Sequence, residues 1–307
     1  MSRIDEAMRK AVGAGAEERV RLDNERSPHP RHAGLEDYPA EPGSVTPRVL
    51  RPKREVTTPA ERLPAVRRAA AGPVVGSPQI SPAAVEQYRR LAAVLHEAQV
   101  ERGIKSLIVS SAVPREGKTL TITNLALTLS DAYHSRVLLI DADLRRPAVH
   151  EVLGIPNTRG LKAALQSDST NVRLVDVSRF LSVLPAGQPT PNPVAELTGE
   201  RMASILREAA RTFDWVLIDT PPMGILPDAQ HLARLTDGVL LVIGAGSTHY
   251  HMVQRAIAEV GADRIVGTIL NRVDESAIPL TTYYDHYYGS GGDLEEPSGG
   301  NLSLSRS

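Results

Sequence analysis

The feature that most constrains the fold is a short apolar run followed by a Gly-Lys-Thr loop and a helix-forming segment. Residues 107–109 predict a buried strand, a loop containing Pro114 and Gly117 follows, and helical composition extends from Lys118 to about residue 133. Strand, loop and helix in this order are typical of a phosphate-binding P-loop. Backbone N–H groups of such a loop point into one concavity, and the helix N-terminus adds its positive end.

The residue types of this loop suit a nucleotide triphosphate with a divalent cation. Lys118 would place its ammonium on the β- and γ-phosphates, and Thr119 would offer its hydroxyl to Mg²⁺. Ala112 stands where the usual motif has its first glycine, which is tolerable only if this residue avoids positive φ. The residues expected to bind the nucleotide are Pro114, Arg115, Glu116, Gly117, Lys118, Thr119 and Leu120.

The rest of the chain between residues 81 and 274 predicts an α/β fold. The predicted strands of this region are apolar throughout rather than alternating apolar and polar, and helical segments separate them. This pattern indicates a parallel sheet covered by helices on both faces. The prediction is therefore a P-loop NTPase fold with a mostly parallel sheet. The expected further strands are 136–140, 181–184, 215–218, 239–243 and 265–270, and the clearest further helices are 82–102 and 196–212.

Carboxylates follow two of the predicted strands directly. Asp141 and Asp143 come after the strand at 136–140, and Asp219 ends the strand at 215–218. Ligands bind beyond the carboxyl ends of parallel strands, and carboxylates beside a triphosphate can hold Mg²⁺ and orient a nucleophile. Taken singly, each aspartate could equally be a helix cap or a turn residue.

Composition excludes several classes of protein. The chain has 35 Lys and Arg against 36 Asp and Glu, so its charge does not suggest a nucleic-acid partner. It has no cysteine, which excludes disulfides, thiolate zinc sites and a cysteine nucleophile. No apolar run approaches the roughly 18 residues of a membrane span, and the N-terminus lacks the apolar core of a signal peptide. We therefore expect a cytoplasmic protein.

Both ends of the chain differ in composition from the middle. Residues 1–80 are rich in Pro and Arg and predict a disordered tether, with a short amphipathic helix near residues 4–12 that is either inconsequential or a docking segment. Residues 275–307 predict a flexible tail rich in Tyr, Gly and Ser. Four of the eight tyrosines fall in one six-residue window, beside several glycines that argue against a buried aromatic strand: Tyr283, Tyr284, Tyr287 and Tyr288.

Three motifs together resemble those of the bacterial tyrosine kinases, or BY-kinases, of the cytoplasmic CpsD/CapB type. Residues 111–119, 138–147 and 216–222 are similar to the Walker A, Walker A′ and Walker B motifs of that family, and the segment from Gly187 to Met202 is similar to one that precedes Walker B. The similarity spans roughly residues 86–274. These kinases are P-loop autokinases that regulate capsule and exopolysaccharide synthesis and export.

The resemblance implies a role for each motif residue. Lys118 would hold the phosphates, while Thr119 and Asp219 would serve Mg²⁺, with Asp143 supporting both the lysine and the metal. Asp141 would orient or deprotonate the attacking tyrosine, whose hydroxyl has an ordinary pKa near 10. Two further regions are implied, the adenine contact at Asn271 and Arg272 and the autophosphorylated tyrosines Tyr283, Tyr284, Tyr287 and Tyr288.

The resemblance also implies partners. A separate membrane-embedded chain-length or co-polymerase protein would activate the kinase and recruit it to the inner face of the membrane, and a cognate tyrosine phosphatase would reverse its modification. The family assembles rings through a helix with the pattern Glu-x-x-Arg-x-x-Arg. Here Glu86 and Arg89 fit, but Ala92 replaces the second arginine, which weakens the prediction of a homo-oligomeric ring.

Two other functions remain open at this level. A partitioning or septum-positioning switch ATPase would carry a second lysine early in the P-loop, where this chain has Val113. A nucleotide-binding regulator without catalysis would not need the full set of Lys118, Thr119, Asp141 and Asp219. A histidine-based metal hydrolase is disfavoured because the nine histidines show no ligand spacing.

Overall fold

One seven-stranded sheet forms the centre of the molecule. The computed structural model describes residues 72–167, 172–224 and 227–274, so the tether up to residue 71 and the tail from residue 275 lie outside the described residues. The strands are β1 Ser106–Ser111, β2 Val137–Asp141, β3 Val175–Asp176, β4 Leu181–Leu184, β5 Trp215–Asp219, β6 Gly238–Gly244 and β7 Ile265–Asn271. The helices are α1 Pro82–Arg102, α2 Lys118–Ala132, α3 Val149–Leu153, α4 Leu161–Leu165, α5 Val194–Leu197, α6 Glu200–Thr212, α7 Pro227–Arg234 and α8 Tyr250–Val260, and a 3₁₀ turn spans Ala262–Arg264.

The strand order brings the chemically important strand ends together. The order is β3-β4-β2-β5-β1-β6-β7, and every pair is parallel except β3 with β4. β5 is thus the central strand, flanked by β2 and β1. Across β2 and β5, Asp141 is in register with Asp219, and β1 enters the P-loop on the other side of Asp219. The sheet confirms the predicted fold class.

Helices cover both faces of this sheet. β1, β2, β5 and β6 are buried along their whole length, as the continuous apolar runs predict. Helices α1, α2 and α3 pack on one face, where Leu95, Ile122 and Leu153 join the core. Helices α4 to α8 pack on the other face, where Leu161, Leu206 and others do the same. The sheet therefore lies between two layers of helices, and the carboxyl ends of its parallel strands lie together at one edge.

Helix α1 begins and ends where the sequence predicts. The Ser81 hydroxyl accepts a hydrogen bond from the Ala84 N–H at 3.2 Å, with Pro82 at the first helical position. Gly103 ends the helix in the left-handed conformation. Ala92 lies on the face of this helix that packs against the core and is fully buried. Arg89 and Arg90 are exposed, and their guanidinium groups lie 3.7 and 3.6 Å from the Glu86 carboxylate.

The structure differs from the sequence prediction in two regions, one helical and one before the first helix. The single helix expected over 196–212 is wrong, because the extended backbone of Gly199 separates α5 from α6. Packing also starts earlier than the expected boundary at residue 81. Val74 is fully buried, and the Asn124 side chain accepts from the Val75 N–H at 2.7 Å and donates to the Pro73 carbonyl at 3.1 Å.

Candidate active site

The P-loop joins β1 to α2 with the backbone geometry of an anion site. Gly117 is the N-terminal cap of α2 with φ of 88°, in the left-handed region, so the first N–H groups of α2 lie unpaired beside the loop. A side chain at Gly117 would place a Cβ 2.2 Å from the Asn271 Nδ2. The described non-glycine residues with positive φ are Arg115, His134 and Arg272. Ala112 therefore avoids positive φ, as it must to replace the first glycine of the motif.

A buried carboxylate fixes the shape of this loop. Glu116 is 3% exposed, and its Oε2 accepts from the Val113 N–H at 2.8 Å. Its Oε1 accepts from the N–H of Gly244, the last residue of β6, at 2.8 Å and from the hydroxyl of Thr248 in the loop that follows. The Asn271 amide donates to the Glu116 carbonyl at 2.8 Å. The P-loop is thereby tied to the ends of β6 and β7.

The reactive side chains of the three motifs meet at the edge of the central strands. Lys118 Nζ lies 3.2 Å from Asp143 Oδ2 and 3.7 Å from Asp219 Oδ1. The Thr119 hydroxyl donates to Asp219 Oδ2 at 2.7 Å. In this arrangement the lysine and threonine that would meet the phosphates and the metal are held by carboxylates. Nucleotide binding must exchange these contacts for contacts with the phosphates and the cation.

Asp141 is engaged differently from Asp143. Its Oδ2 accepts from the N–H groups of Ala148 and Val149 at 3.1 Å each, at the start of α3, and its Oδ1 accepts from the Asp143 N–H at 3.2 Å. Asp141 is fully buried, and Asp143 is 6% exposed. The carboxylate that contacts Lys118 and borders solvent is therefore Asp143, and Asp141 holds the backbone around it.

Burial and mutual repulsion shift the pKa values of these groups. Burial raises the pKa of Asp141 well above its ordinary value, and the charges of Asp219 and Asp143 raise it further. Burial also raises the pKa of Asp219, although Lys118 and Thr119 oppose this shift. For Lys118 burial lowers the pKa, but the nearby carboxylates outweigh it, so the pKa is raised and the ammonium is retained. The site has an excess of buried acids that a divalent cation would relieve.

The donor set fits Mg²⁺ delivered with a nucleotide. Asp219 Oδ1 is buried and has no hydrogen-bond partner, although it faces Lys118, so one carboxylate oxygen is left for a cation. Within the described ranges, no three His, Asp or Glu side chains converge closely enough to hold a metal unaided. This is expected of Mg²⁺, which commonly uses one or two carboxylates together with phosphate oxygens and water.

The structure distributes the remaining predicted site residues around this edge. Pro114 and Arg115 are exposed at the tip of the P-loop, and Leu120 packs against the core beneath α2. Asn271 holds the P-loop backbone, and Arg272 follows it with φ of 60°. The four tail tyrosines lie outside the described residues. Sequence reasoning missed Thr248 because a lone threonine after a strand carries no motif, and only its contact with Glu116 reveals it.

Comparison with known proteins gives the family. No family model matches the sequence. Tyrosine-protein kinase YwqD of Bacillus subtilis is 37% identical over 190 residues, which span 61% of this chain and 80% of that protein. Tyrosine-protein kinase CpsD of Streptococcus agalactiae is 34% identical over 188 residues, spanning 59% of this chain and 80% of that protein.

The chain belongs to the bacterial tyrosine-protein kinases. The kinase domain of the Escherichia coli tyrosine kinase ETK has the same fold, with a TM-score of 0.57 and 31% identity over 62% of this chain and 77% of that domain. This BY-kinase is thus an enzyme with a nucleotide-binding P-loop, and the switch-ATPase alternative is not favoured. Among the described residues, no helix is both long and apolar enough to cross a membrane.

Proposed function

We propose that this BY-kinase transfers the γ-phosphoryl group of ATP, in the presence of Mg²⁺, to tyrosines of its own C-terminal tail. The observation that carries this proposal is the convergence of Lys118 with Asp143 and Asp219 at 3.2 and 3.7 Å, at the mouth of a P-loop. The acceptors would be the clustered tail tyrosines Tyr283, Tyr284, Tyr287 and Tyr288.

Binding of ATP would use the loop as preorganised by Glu116. Backbone N–H groups around Gly117 would receive the phosphates, and Lys118 would turn from Asp143 to the β- and γ-phosphates. Thr119 and Asp219 would hold Mg²⁺, which would supply positive charge to offset the negative charge of the phosphates. Most of the acceleration would then come from positioning and electrostatic stabilisation.

The attacking tyrosine needs a carboxylate partner because its hydroxyl is a weak acid at neutral pH. One carboxylate of the Asp141–Asp143 pair would take this proton. Asp143 borders solvent and would meet the phenol, and it becomes free to do so once Lys118 turns to the phosphates. Asp141 would position Asp143 through its hydrogen bond to the Asp143 N–H, and its raised pKa makes it a stronger base than an ordinary aspartate.

The experiment is phosphotyrosine detection on the purified full chain incubated with ATP and Mg²⁺. Wild type should become labelled, and Lys118→Met should lose the label. Lys105→Met, an exposed lysine at the opposite edge of the sheet, is the matched control and should keep it. A chain truncated after Asp274 should lose acceptor sites while still phosphorylating a full-length Lys118→Met chain. ATP hydrolysis by wild type without any phosphotyrosine would instead establish a switch ATPase.

The cellular setting follows from the family. We propose that the kinase controls capsule or exopolysaccharide synthesis and export, under a membrane-embedded co-polymerase that activates it at the inner face of the membrane and a tyrosine phosphatase that resets it. Delivery of the tail to a neighbouring copy would be efficient in a homo-oligomeric ring. Because Ala92 faces the core, the subunit contact on α1 would use Glu86, Arg89 and Arg90 rather than residue 92.

A further inference from the structure

Basic side chains flank the active site on the side of β2 and β4. Arg145 and Arg146 follow Asp143 directly, and the Arg146 N–H donates to Asp143 Oδ1 at 3.1 Å. Arg159 and Lys162 come from the segment that begins α4. Arg146 and Arg159 are exposed, and Arg145 and Lys162 are partly buried. We call these four residues the basic rim.

One loop brings the two halves of the basic rim together. The loop 185–193 follows β4, and its Thr190 N–H donates to the Leu144 carbonyl at 2.9 Å, beside Asp143. The Arg145 guanidinium donates to the Pro191 carbonyl, and Lys162 Nζ donates to the Pro189 carbonyl at 3.4 Å. The Lys162 N–H also donates to the Ala186 carbonyl at 3.0 Å. Arg145 and Lys162, one from each half of the rim, thus contact a loop that is hydrogen-bonded to the residue after Asp143.

Two described acids near this rim contact other side chains. Glu151 on α3 is exposed and its Oε1 lies 4.0 Å from His150 Nε2, and Glu196 on α5 accepts from Gln166 at 2.9 Å. Asp143 and Asp141 lie inside the site and face Lys118 and the backbone. Outside the catalytic pocket, the described residues on this side therefore include the four cations of the basic rim and the two acids Glu151 and Glu196.

The sequence that carries the tyrosine cluster has the opposite charge. Between residues 273 and 305 there is no Lys or Arg, although the whole chain contains 35. The same stretch holds six acids, of which one stands within the tyrosine window and three follow it closely: Asp274, Glu275, Asp285, Asp293, Glu295 and Glu296. An acidic segment of this length is complementary to a basic surface at the mouth of the site.

We propose that the basic rim is the docking surface for the acidic tyrosine tail of a second copy of this chain, so that the preferred substrates are tyrosines with acids nearby. This inference rests on the proposed function and adds the recognition chemistry. Contact between the rim and the acids raises the local concentration of the tyrosines at Asp143 without touching the transferred phosphoryl group. The rim therefore governs KM for the tail rather than kcat.

The test measures phosphorylation in trans between two full-length chains. The enzyme carries Phe at the four tail tyrosines, and the substrate is the Lys118→Met chain with its native tail, supplied over a range of concentrations. Neutralising the exposed rim with Arg146→Gln and Arg159→Gln should raise KM for the substrate about fivefold and leave kcat and the KM for ATP nearly unchanged. The wild-type KM should also rise with added salt, and that of the variant should rise less.

The matched control is Arg102→Gln with Lys105→Gln, which removes the same two charges from exposed positions at the far edge of the sheet. It should leave KM for the substrate unchanged. Changing Asp293, Glu295 and Glu296 of the substrate to amides should mimic the rim variant, and combining both changes should add little more.

The outcomes separate the two proposals. If wild type makes no phosphotyrosine, the proposed function fails. If wild type phosphorylates the tail but the rim variant and its control have the same KM, or the neutral tail is as good a substrate as the acidic one, the docking inference alone is overturned.

Discussion

At the scale of single residues, the buried side chain of Glu116 shapes the P-loop from inside the protein. The Glu116 carboxylate is buried and accepts from two backbone N–H groups and one hydroxyl. A buried carboxylate is stable only when such donors satisfy it. Glu116 therefore acts as a positioning residue that holds the P-loop open between β1 and the end of β6.

We expect Thr248→Val to raise KM for ATP about tenfold with a smaller effect on kcat, since loss of a hydrogen bond to a charged group removes about 1.5 kcal/mol of loop stabilisation. Valine keeps the shape of threonine and removes the hydroxyl. Thr248→Ser retains the donor and is the control. Steady-state kinetics at several ATP concentrations measure the effect, and equal KM values for the valine and serine variants would contradict the assigned role.

Gly117→Ala should abolish nucleotide binding. Alanine at φ of 88° costs about 1–2 kcal/mol in backbone strain, and its Cβ would also displace Asn271 from 2.2 Å away. Gly246→Ala is the matched control, because Gly246 has φ of 66° but no heavy atom within 4 Å of an added Cβ. Calorimetric titration with ADP and Mg²⁺ should detect binding to the control and not to Gly117→Ala. Similar affinities for both would refute the close approach.

The raised pKa values of Asp141 and Asp219 predict opposite pH trends for binding and stability. Binding of Mg²⁺ with nucleotide needs these carboxylates ionised, so affinity should fall as pH drops from neutral, starting above the ordinary aspartate range near about 3.9. A carboxyl whose pKa is higher in the folded state stabilises the fold below its unfolded pKa and loses that contribution as pH rises through the folded value.

The apoprotein should therefore gain stability from these two groups over the same fall in pH. Asp214, whose pKa is lowered by Arg136, contributes in the opposite sense, but only in the acidic range at and below the ordinary value. Thermal unfolding without Mg²⁺, run beside nucleotide titrations at each pH, checks both trends. Asp141→Asn should flatten the stability trend, and an unchanged slope in that variant would rule out Asp141 as its source.

At the scale of elements, the sequence predicts most strands and also predicts that the polar residues that follow them meet at the carboxyl edge of the sheet. The strand residues 107–109, 137–140 and 215–218 are buried, so continuous hydrophobicity and a polar residue at the end mark each run, whereas Arg136 of the expected strand is exposed and precedes β2. Two features resist prediction for physical reasons. The two-residue strand β3 has no periodicity to detect, and the burial of Val74 depends on tertiary hydrogen bonds from Asn124 that local sequence does not encode.

The site shows the same division. Lys118, Thr119 and the three aspartates are recognisable because each follows a strand at a fixed spacing. The roles of Asp141 and Asp143 are not, because the difference lies in which oxygen meets the backbone of α3 and which meets Lys118. Likewise Asn271 looks like a nucleotide contact in sequence, while in the structure its amide supports the P-loop.

Helix α1 yields a prediction that tests whether residue 92 packs in the core or contacts a neighbouring subunit, as the ring motif of the family would require. Restoring the second arginine of the ring motif with Ala92→Arg should destabilise the fold by about 3 kcal/mol or more, because it places a charge in the apolar core. Arg89→Ala, at an exposed position on the same helix, should change stability little. Denaturant unfolding measures both. A ring strengthened by Ala92→Arg without loss of stability would show that residue 92 faces a neighbouring subunit instead.

At the scale of the whole molecule, charge is segregated although the chain is close to neutral. The tail after residue 272 carries acids and, up to residue 305, no Lys or Arg, while the loop beside Asp143 is lined by the basic rim. A kinase whose acceptor and catalytic pocket lie in different parts of one chain needs a means of bringing them together. In the proposed mechanism, complementary charge and the covalent attachment of the tail would bring the tyrosines to the catalytic pocket of a second copy.

The most direct measurement is mass-spectrometric mapping of phosphate on the full chain after incubation with ATP and Mg²⁺, beside the Lys118→Met chain. We expect phosphotyrosine within residues 283–288 of wild type and none in Lys118→Met. Turnover of ATP that leaves every tyrosine unmodified, or equal labelling of both chains, would contradict it.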